Sequence, residues 1–286
     1  MDLTRIVYVN GDWLPEADAK VSIFDRGFLF ADAIYEVTGV VDGKLLEYPG
    51  HSARLQRSTA ELGITCPLTP DALLEVHREI VRRNELKEGL IYLQISRGAA
   101  DRDFAFPENP TPTLILFTQA KPVLDNPKVA TGISVALLPD QRWARRDIKT
   151  VQLLYPSMAK MEAMAKGADD AWLVEDGFVT EASSATAHII TEGGKLVTRG
   201  LSNAILHGIT RASVLDIAEK AGIEFEERAF TPAEARNAAE AFITSATNFV
   251  LPVTRIDGEN VGDGKPGPLT LQLRELYIKQ KLADAL

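Results

Sequence analysis

Four short turns constrain the fold of this 286-residue chain more than any other feature of it. Asn10-Gly11, Asp42-Gly43 and Asp176-Gly177 each follow a run rich in β-branched and aromatic residues, and Asp257-Gly258 ends a fourth run, Val250 to Ile256. Asn-Gly and Asp-Gly accept the positive φ angles that a two-residue hairpin demands, so the flanking runs pair antiparallel. Residues 4 to 48 therefore read as strands and turns, and Ala171 to Thr180 as a further hairpin.

Other stretches carry the helical period. His51 to Leu62, Asp71 to Asn84, Ser157 to Lys166, Ala212 to Ala221 and Leu269 to Leu286 are read as helices, and Thr231-Pro232 opens another with a capping residue followed by proline. Ile91 to Ser96 and Leu114 to Thr118 read as buried strands. Prolines 122 and 127 mark Ala120 to Ala130 as a linker, which divides the chain into a smaller domain at 1–120, a linker at 121–130 and a larger domain at 131–286. The mixture is α+β. The aromatic and glycine content of Phe24 to Asp32 suggests a buried turn, and Met158, Met161 and Met164 are expected in the core beside the small-residue face of their helix.

Composition narrows the function. A net charge of −9 argues against nucleic acid, whose phosphates are met by basic surfaces. One cysteine, Cys66, permits no intramolecular disulfide and no cysteine-rich metal site. No apolar run approaches the ~20 residues that span a bilayer, and Met1 to Arg5 lacks the basic and then apolar regions of a signal peptide. The expectation is a cytoplasmic protein without a membrane partner, working on small molecules.

The candidate chemistry lies between Arg146 and Ile190. Lys149 adjoins an apolar run, as a lysine that forms an imine requires, and Glu181 heads a cluster of small hydroxyl residues and is suited to hold a cationic ring. On spacing alone Arg54 reads as a solvated helical residue and Tyr35 equally as a core residue or a ligand contact. The loop Arg97 to Pro107, between two strands, is long enough to suggest function, with arginines suited to a carboxylate. Gly208-Ile209-Thr210 opens a helix, where first-turn amides and the dipole favour phosphate, and Thr244-Ser245-Ala246-Thr247 offers further donors. No metal-ligand spacing, Walker loop or Gly-x-Ser-x-Gly elbow is present.

In order and spacing these pieces resemble the fold type IV pyridoxal phosphate enzymes, and among them the D-amino acid aminotransferases. The resemblance rests on Asp25-Arg26-Gly27, Asp32 to Val37, His51 to Leu55, Ile91 to Gly98, Asp147 to Thr150, Val179-Thr180-Glu181, Gly208 to Arg211 and Thr244 to Thr247. It implies a two-domain fold with a smaller N-terminal α/β domain and a larger C-terminal domain built on a barrel-like sheet. It implies that Lys149 forms the imine with pyridoxal 5'-phosphate and carries the proton, and that Glu181 pairs with the pyridine nitrogen. Arg54, the Ile209 and Thr210 amides with the Thr210 hydroxyl, and Ser245 match the phosphate cup, with Ala246 where many relatives have a hydroxyl residue. One neutral hydrogen bond is worth about 1 kcal/mol, so cofactor binding should survive its loss. Tyr35 and Arg102 match residues that grip the substrate carboxylate, Arg102 from the neighbouring subunit of a homodimer; Phe104 stands where the D-amino acid enzymes have histidine. That change makes the pocket more apolar, so an (R)-selective amine transaminase is the alternative, with branched-chain aminotransferase and aminodeoxychorismate lyase behind it.

Overall fold

A computed structural model describes residues 5–286. Met1 to Thr4, part of the start read as lacking a leader, lie outside the described residues. All four turns adopt the left-handed backbone their sequences demand: φ is +51° and +108° at Asn10-Gly11, +51° and +73° at Asp42-Gly43, +53° and +81° at Asp176-Gly177, and +51° and +85° at Asp257-Gly258. Each joins two antiparallel strands.

The chain forms two compact units. The first is the chain up to Leu124 together with Ile148–Gln152 and Asp284–Leu286. It contains β1 (Ile6–Val9), β2 (Asp12–Pro15), α1 (Arg26–Phe30), β3 (Ala33–Val41), β4 (Lys44–Leu45), α2 (Tyr48–Leu62), α3 (Pro70–Arg83), β5 (Glu88–Ser96) and β6 (Thr113–Ala120). Its six strands make one antiparallel sheet in the order β2-β1-β6-β5-β3-β4. Ile34, Val40, Leu55, Leu73, Ile80, Ile91 and Leu93 form its core. Ile148 packs into the same core.

The second unit contains α4 (Lys128–Thr131), β7 (Ile133–Pro139), α5 (Leu154–Ala165), β8 (Asp170–Glu175), β9 (Phe178–Ala182), β10 (Thr186–Ile190), β11 (Leu196–Thr198), α6 (Ile209–Lys220), β12 (Phe225–Glu227), α7 (Pro232–Arg236), β13 (Glu240–Ser245), β14 (Phe249–Ile256), β15 (Glu259–Asn260) and α8 (Pro268–Ala283). Nine strands form a curled sheet in the order β12-β11-β10-β13-β14-β7-β8-β9, with β15 on β14. The pairs β14/β7, β7/β8 and β11/β12 are parallel. A parallel pair needs a crossover, and α5 supplies it between β7 and β8.

Three details differ from the sequence reading. Phe24 to Asp32 is no buried turn: Asp25 accepts a hydrogen bond from the Gly27 amide and caps α1, whose buried residue is Arg26, while Phe24 and Phe28 are exposed. On α5 the methionines lie outside the core, because Ala159 and Ala163 pack closely on Ala136, Leu138, Ala171 and Leu173 and leave Met158, Met161 and Met164 exposed. The stretch around Lys149 groups with the first unit although it falls within 131–286. Its backbone is the reason: the Tyr35 amide donates to the Lys149 carbonyl at 3.0 Å and the Val151 amide to the Ala33 carbonyl at 3.1 Å. No helix among the described residues is long and apolar enough to cross a membrane.

Candidate active site

In the first unit the start of β3 and the face of α2 position Lys149. Its backbone amide lies 3.4 Å from the Ser58 hydroxyl, and its Nζ stands 4.1 Å from the centre of the Tyr35 ring. An ammonium is attracted to such a face. Tyr35 in turn stacks on Tyr92, and Tyr92 on Phe117, so the ring under the lysine is backed by two more.

Arg54 lies one helical turn before Ser58 on α2 and is buried. Its Nε and Nη2 donate to Glu36 at 2.7 and 2.8 Å, and His51 Nδ1 donates to the same carboxylate at 2.9 Å. Burial opposes the charge on Glu36, but Arg54 and His51 outweigh it and hold the carboxyl well below its ordinary range. The sequence reading missed Glu36 and His51. A signal existed: Glu36 shares the buried face of β3 with Ile34 and Thr38, and an acid at that parity needs a cation.

Arg102 and Phe104 sit on an exposed loop. The Arg102 guanidinium lies 5.5 Å from the Phe30 ring centre and 5.6 Å from that of Phe104, and the two rings meet edge to face. Beneath the loop, Arg26 and Arg97 share Asp32, and Arg26 also donates to the Asp103 carbonyl. The loop begins at Gly98, whose φ of +97° and approach to the Thr111 carbonyl exclude a side chain. The structure thus brings Lys149 and Tyr35 together, and groups Arg102 and Phe104 with Phe30.

In the second unit β9 carries Glu181 into a buried position. Arg142 Nη1 donates to its Oε2 at 2.7 Å and the Leu206 amide to its Oε1 at 3.0 Å. Burial pushes the Glu181 proton affinity up, and Arg142 and the Leu206 amide oppose that. Two residues beyond Leu206, Gly208 is the N-cap of α6 and offers no side-chain cap. First-turn amides have no acceptor within a helix, and Ile209 and Thr210 occupy that turn. A Cβ on Gly208 would lie 2.9 Å from Thr186 Oγ1, and Thr186 pairs with Thr244 across β10 and β13. The helix start and the Ser245-Ala246 end of β13 are therefore neighbours. Ser245 Oγ accepts from the Asn248 amide at 3.2 Å, and buried Thr244 Oγ1 has no hydrogen-bond partner among the described residues. A carboxylate, a helix start and adjacent hydroxyls within one unit fit a phosphorylated, cationic ring compound.

Comparison with known proteins gives the family. A family model described as amino-transferase class IV matches residues 33–256. The chain is 39% identical over 280 residues to the D-alanine aminotransferase of Bacillus licheniformis, covering 97% of this chain and 98% of that protein. It is 38% identical over 276 residues to the D-alanine aminotransferase of Staphylococcus aureus (strain MSSA476), covering 96% of each. Among solved structures, the branched-chain aminotransferase of Thermoproteus uzoniensis with norvaline is 26% identical with a TM-score of 0.85, covering 98% of this chain and 95% of that one. The Escherichia coli branched-chain enzyme gives a TM-score of 0.91 at 21% identity, with 97% and 94% covered, and shows the fold alone. The chain belongs to the class IV aminotransferases, of fold type IV. It is an aminotransferase that uses pyridoxal 5'-phosphate, an amino donor and a keto acid.

Proposed function

We propose that this enzyme moves the amino group of a D-amino acid to a 2-oxo acid in a ping-pong reaction. The observation that carries the reading is the match to D-alanine aminotransferases over 97% of the chain, and the stance of Lys149 over Tyr35 supports it. Bound pyridoxal phosphate supplies an electron sink for the pair left when the substrate Cα–H bond breaks. Lys149 Nζ would hold the cofactor and would take the proton from the substrate Cα. Glu181 pairs with the ring nitrogen. Arg54, the Ile209 and Thr210 amides, the Thr210 hydroxyl, Ser245 and the backbone at Ala246 receive the phosphate. Tyr35 orients the substrate carboxylate with Arg102 of a neighbouring protomer.

That last role makes the working unit a homodimer. Leu154, Met158 and Met161 support it, since they form an exposed apolar stripe at i, i+4 and i+7 of α5. The single cysteine and the soluble-type composition support a cytoplasmic location.

A second reading, an (R)-selective amine transaminase, is favoured by one observation. Phe104 packs edge to face on Phe30 beside Arg102 and so presents an apolar surface where a carboxylate partner is expected. One panel separates these readings: loss of the visible absorption of the bound cofactor on mixing with D-alanine, D-glutamate, L-leucine or (R)-1-phenylethylamine. Fast reaction with the D-amino acids is the expected outcome. Equal rates with the amine support the second reading, and reaction with L-leucine alone makes this a branched-chain enzyme. Lys149→Ala should lower turnover about 100-fold or more, the loss of a positioned proton carrier; full turnover in that variant overturns the mechanism.

A further inference from the structure

Glu181 does not stand alone. Arg142 lies between it and Asp140, with Nη1 on Glu181 Oε2 at 2.7 Å, Nε on Asp140 Oδ1 at 3.0 Å and Nη2 on Asp140 Oδ2 at 2.7 Å. Asp140 is itself fixed by the Thr180 hydroxyl at 2.6 Å, and its backbone amide donates to the Val174 carbonyl at 2.8 Å. The Arg142 amide also donates to Asp140 Oδ1, at 3.1 Å. The side chains of Asp140, Glu181 and Arg142 are 0%, 5% and 13% exposed, so little solvent screens the group.

Arg146 and Glu175, beside the group, offset one another. Arg146 approaches Asp140 at 3.6 Å, but its guanidinium is forked on Glu175 at 2.6 and 2.7 Å. The set Asp140, Arg142 and Glu181 then carries one negative charge in excess, sited at the carboxylate with lone pairs to spare. Only a planar fork spans two carboxylates in this manner; a lysine ammonium presents one point of charge.

We propose that Arg142 is a positioning residue for the reaction: it aims Glu181 and keeps it a carboxylate, so that the proton shared with the cofactor's ring nitrogen resides on the nitrogen. The proposal rests on the reading that Glu181 pairs with that nitrogen. One proton is at issue. With Arg142 in place it forms N–H⁺ facing a carboxylate; without Arg142 the buried carboxyl holds it and the ring is neutral, a weaker electron sink.

The test uses holoenzyme loaded with pyridoxal phosphate labelled with ¹⁵N in the ring, comparing wild type, Arg142→Met, Arg142→Lys, Glu181→Gln and the double variant Asp140→Asn/Arg142→Met. The double variant removes the carboxylate that the single change would leave unpaired, so a fold defect at Asp140 is separated from the effect on Glu181. Expected is a protonated-nitrogen shift in wild type at neutral pH, a move toward the unprotonated shift in Arg142→Met and the double variant, and an intermediate value in Arg142→Lys. In the Arg142→Met and double variants kcat should fall about tenfold or more with KM little changed, the signature of a contact that matters in the transition state. If Glu181→Gln moves the ¹⁵N shift and the double variant does not, the role of Arg142 is overturned and that of Glu181 stands. If Glu181→Gln also leaves the shift unmoved, the underlying pairing itself is wrong and the proposal falls with it.

Discussion

At the scale of the residue, the site is built from buried charges that need company. Glu36 holds Arg54 and His51 with hydrogen bonds of 2.7 to 2.9 Å, all three nearly sealed from solvent. Glu36→Gln leaves the buried Arg54 guanidinium facing an amide in place of a carboxylate. Breaking one side of a buried pair costs about 3–5 kcal/mol, so chemical denaturation should show a loss of that order, and a loss under about 1 kcal/mol would mean the pair is not buried in solution. Much of this was legible in outline only. Lys149, Glu181 and Arg54 stood out because the order of short motifs around them is specific, whereas Glu36 pairs with a residue 18 positions away and Arg142 with one 39 positions away. Spacing along a sequence does not reveal such partners, since the fold alone decides which charges are buried together.

At the scale of the element, local chemistry proved readable where the demand was local. The Asn-Gly and Asp-Gly turns specify their own φ angles, and the helices follow the apolar period. What α5 faces is a different matter: its alanines and methionines are both apolar, and only contact with β7 and β8 selects the alanines for the core. The unpaired methionine side yields a prediction. Met158→Glu with Met161→Glu should leave folding stability within about 0.5 kcal/mol, as exposed substitutions do, while sedimentation of the proposed homodimer shifts from twice the chain mass toward a single chain. An unchanged dimer would remove this stripe from the interface.

At the scale of the whole molecule, acid should act on both units. His77 in the first is pushed down to about 4 by burial, despite its hydrogen bond to the Leu73 carbonyl, and His188 in the second to about 3 by burial and by Arg211. An unfolded histidine titrates near 6.5, so below that pH the unfolded chain binds protons that the folded chain refuses. Stability is therefore full above about 6.5 and declines as pH falls toward the folded values. For His77 the full loss, reached below its folded value, is on the order of 3–4 kcal/mol, at about 1.4 kcal/mol for each unit of displacement. Urea midpoints taken at neutral pH and at mildly acid pH should fall accordingly, and His77→Phe should flatten the slope; an unaltered slope would mean that His77 titrates normally. The return of Ile148–Gln152 to the first unit has one more consequence. The backbone passes from one unit to the other after Leu124, Asp147, Gln152 and Ala283, so no single cut divides the protein into its two units. Cleavage at Leu124 gives an amino-terminal fragment without Lys149 and a carboxy-terminal one bearing a segment whose hydrogen-bonding partners were left behind. The residue expected to do the chemistry is thus delivered to the first sheet by the half of the chain that builds the second, and the gene for this enzyme cannot be split there into two self-sufficient modules.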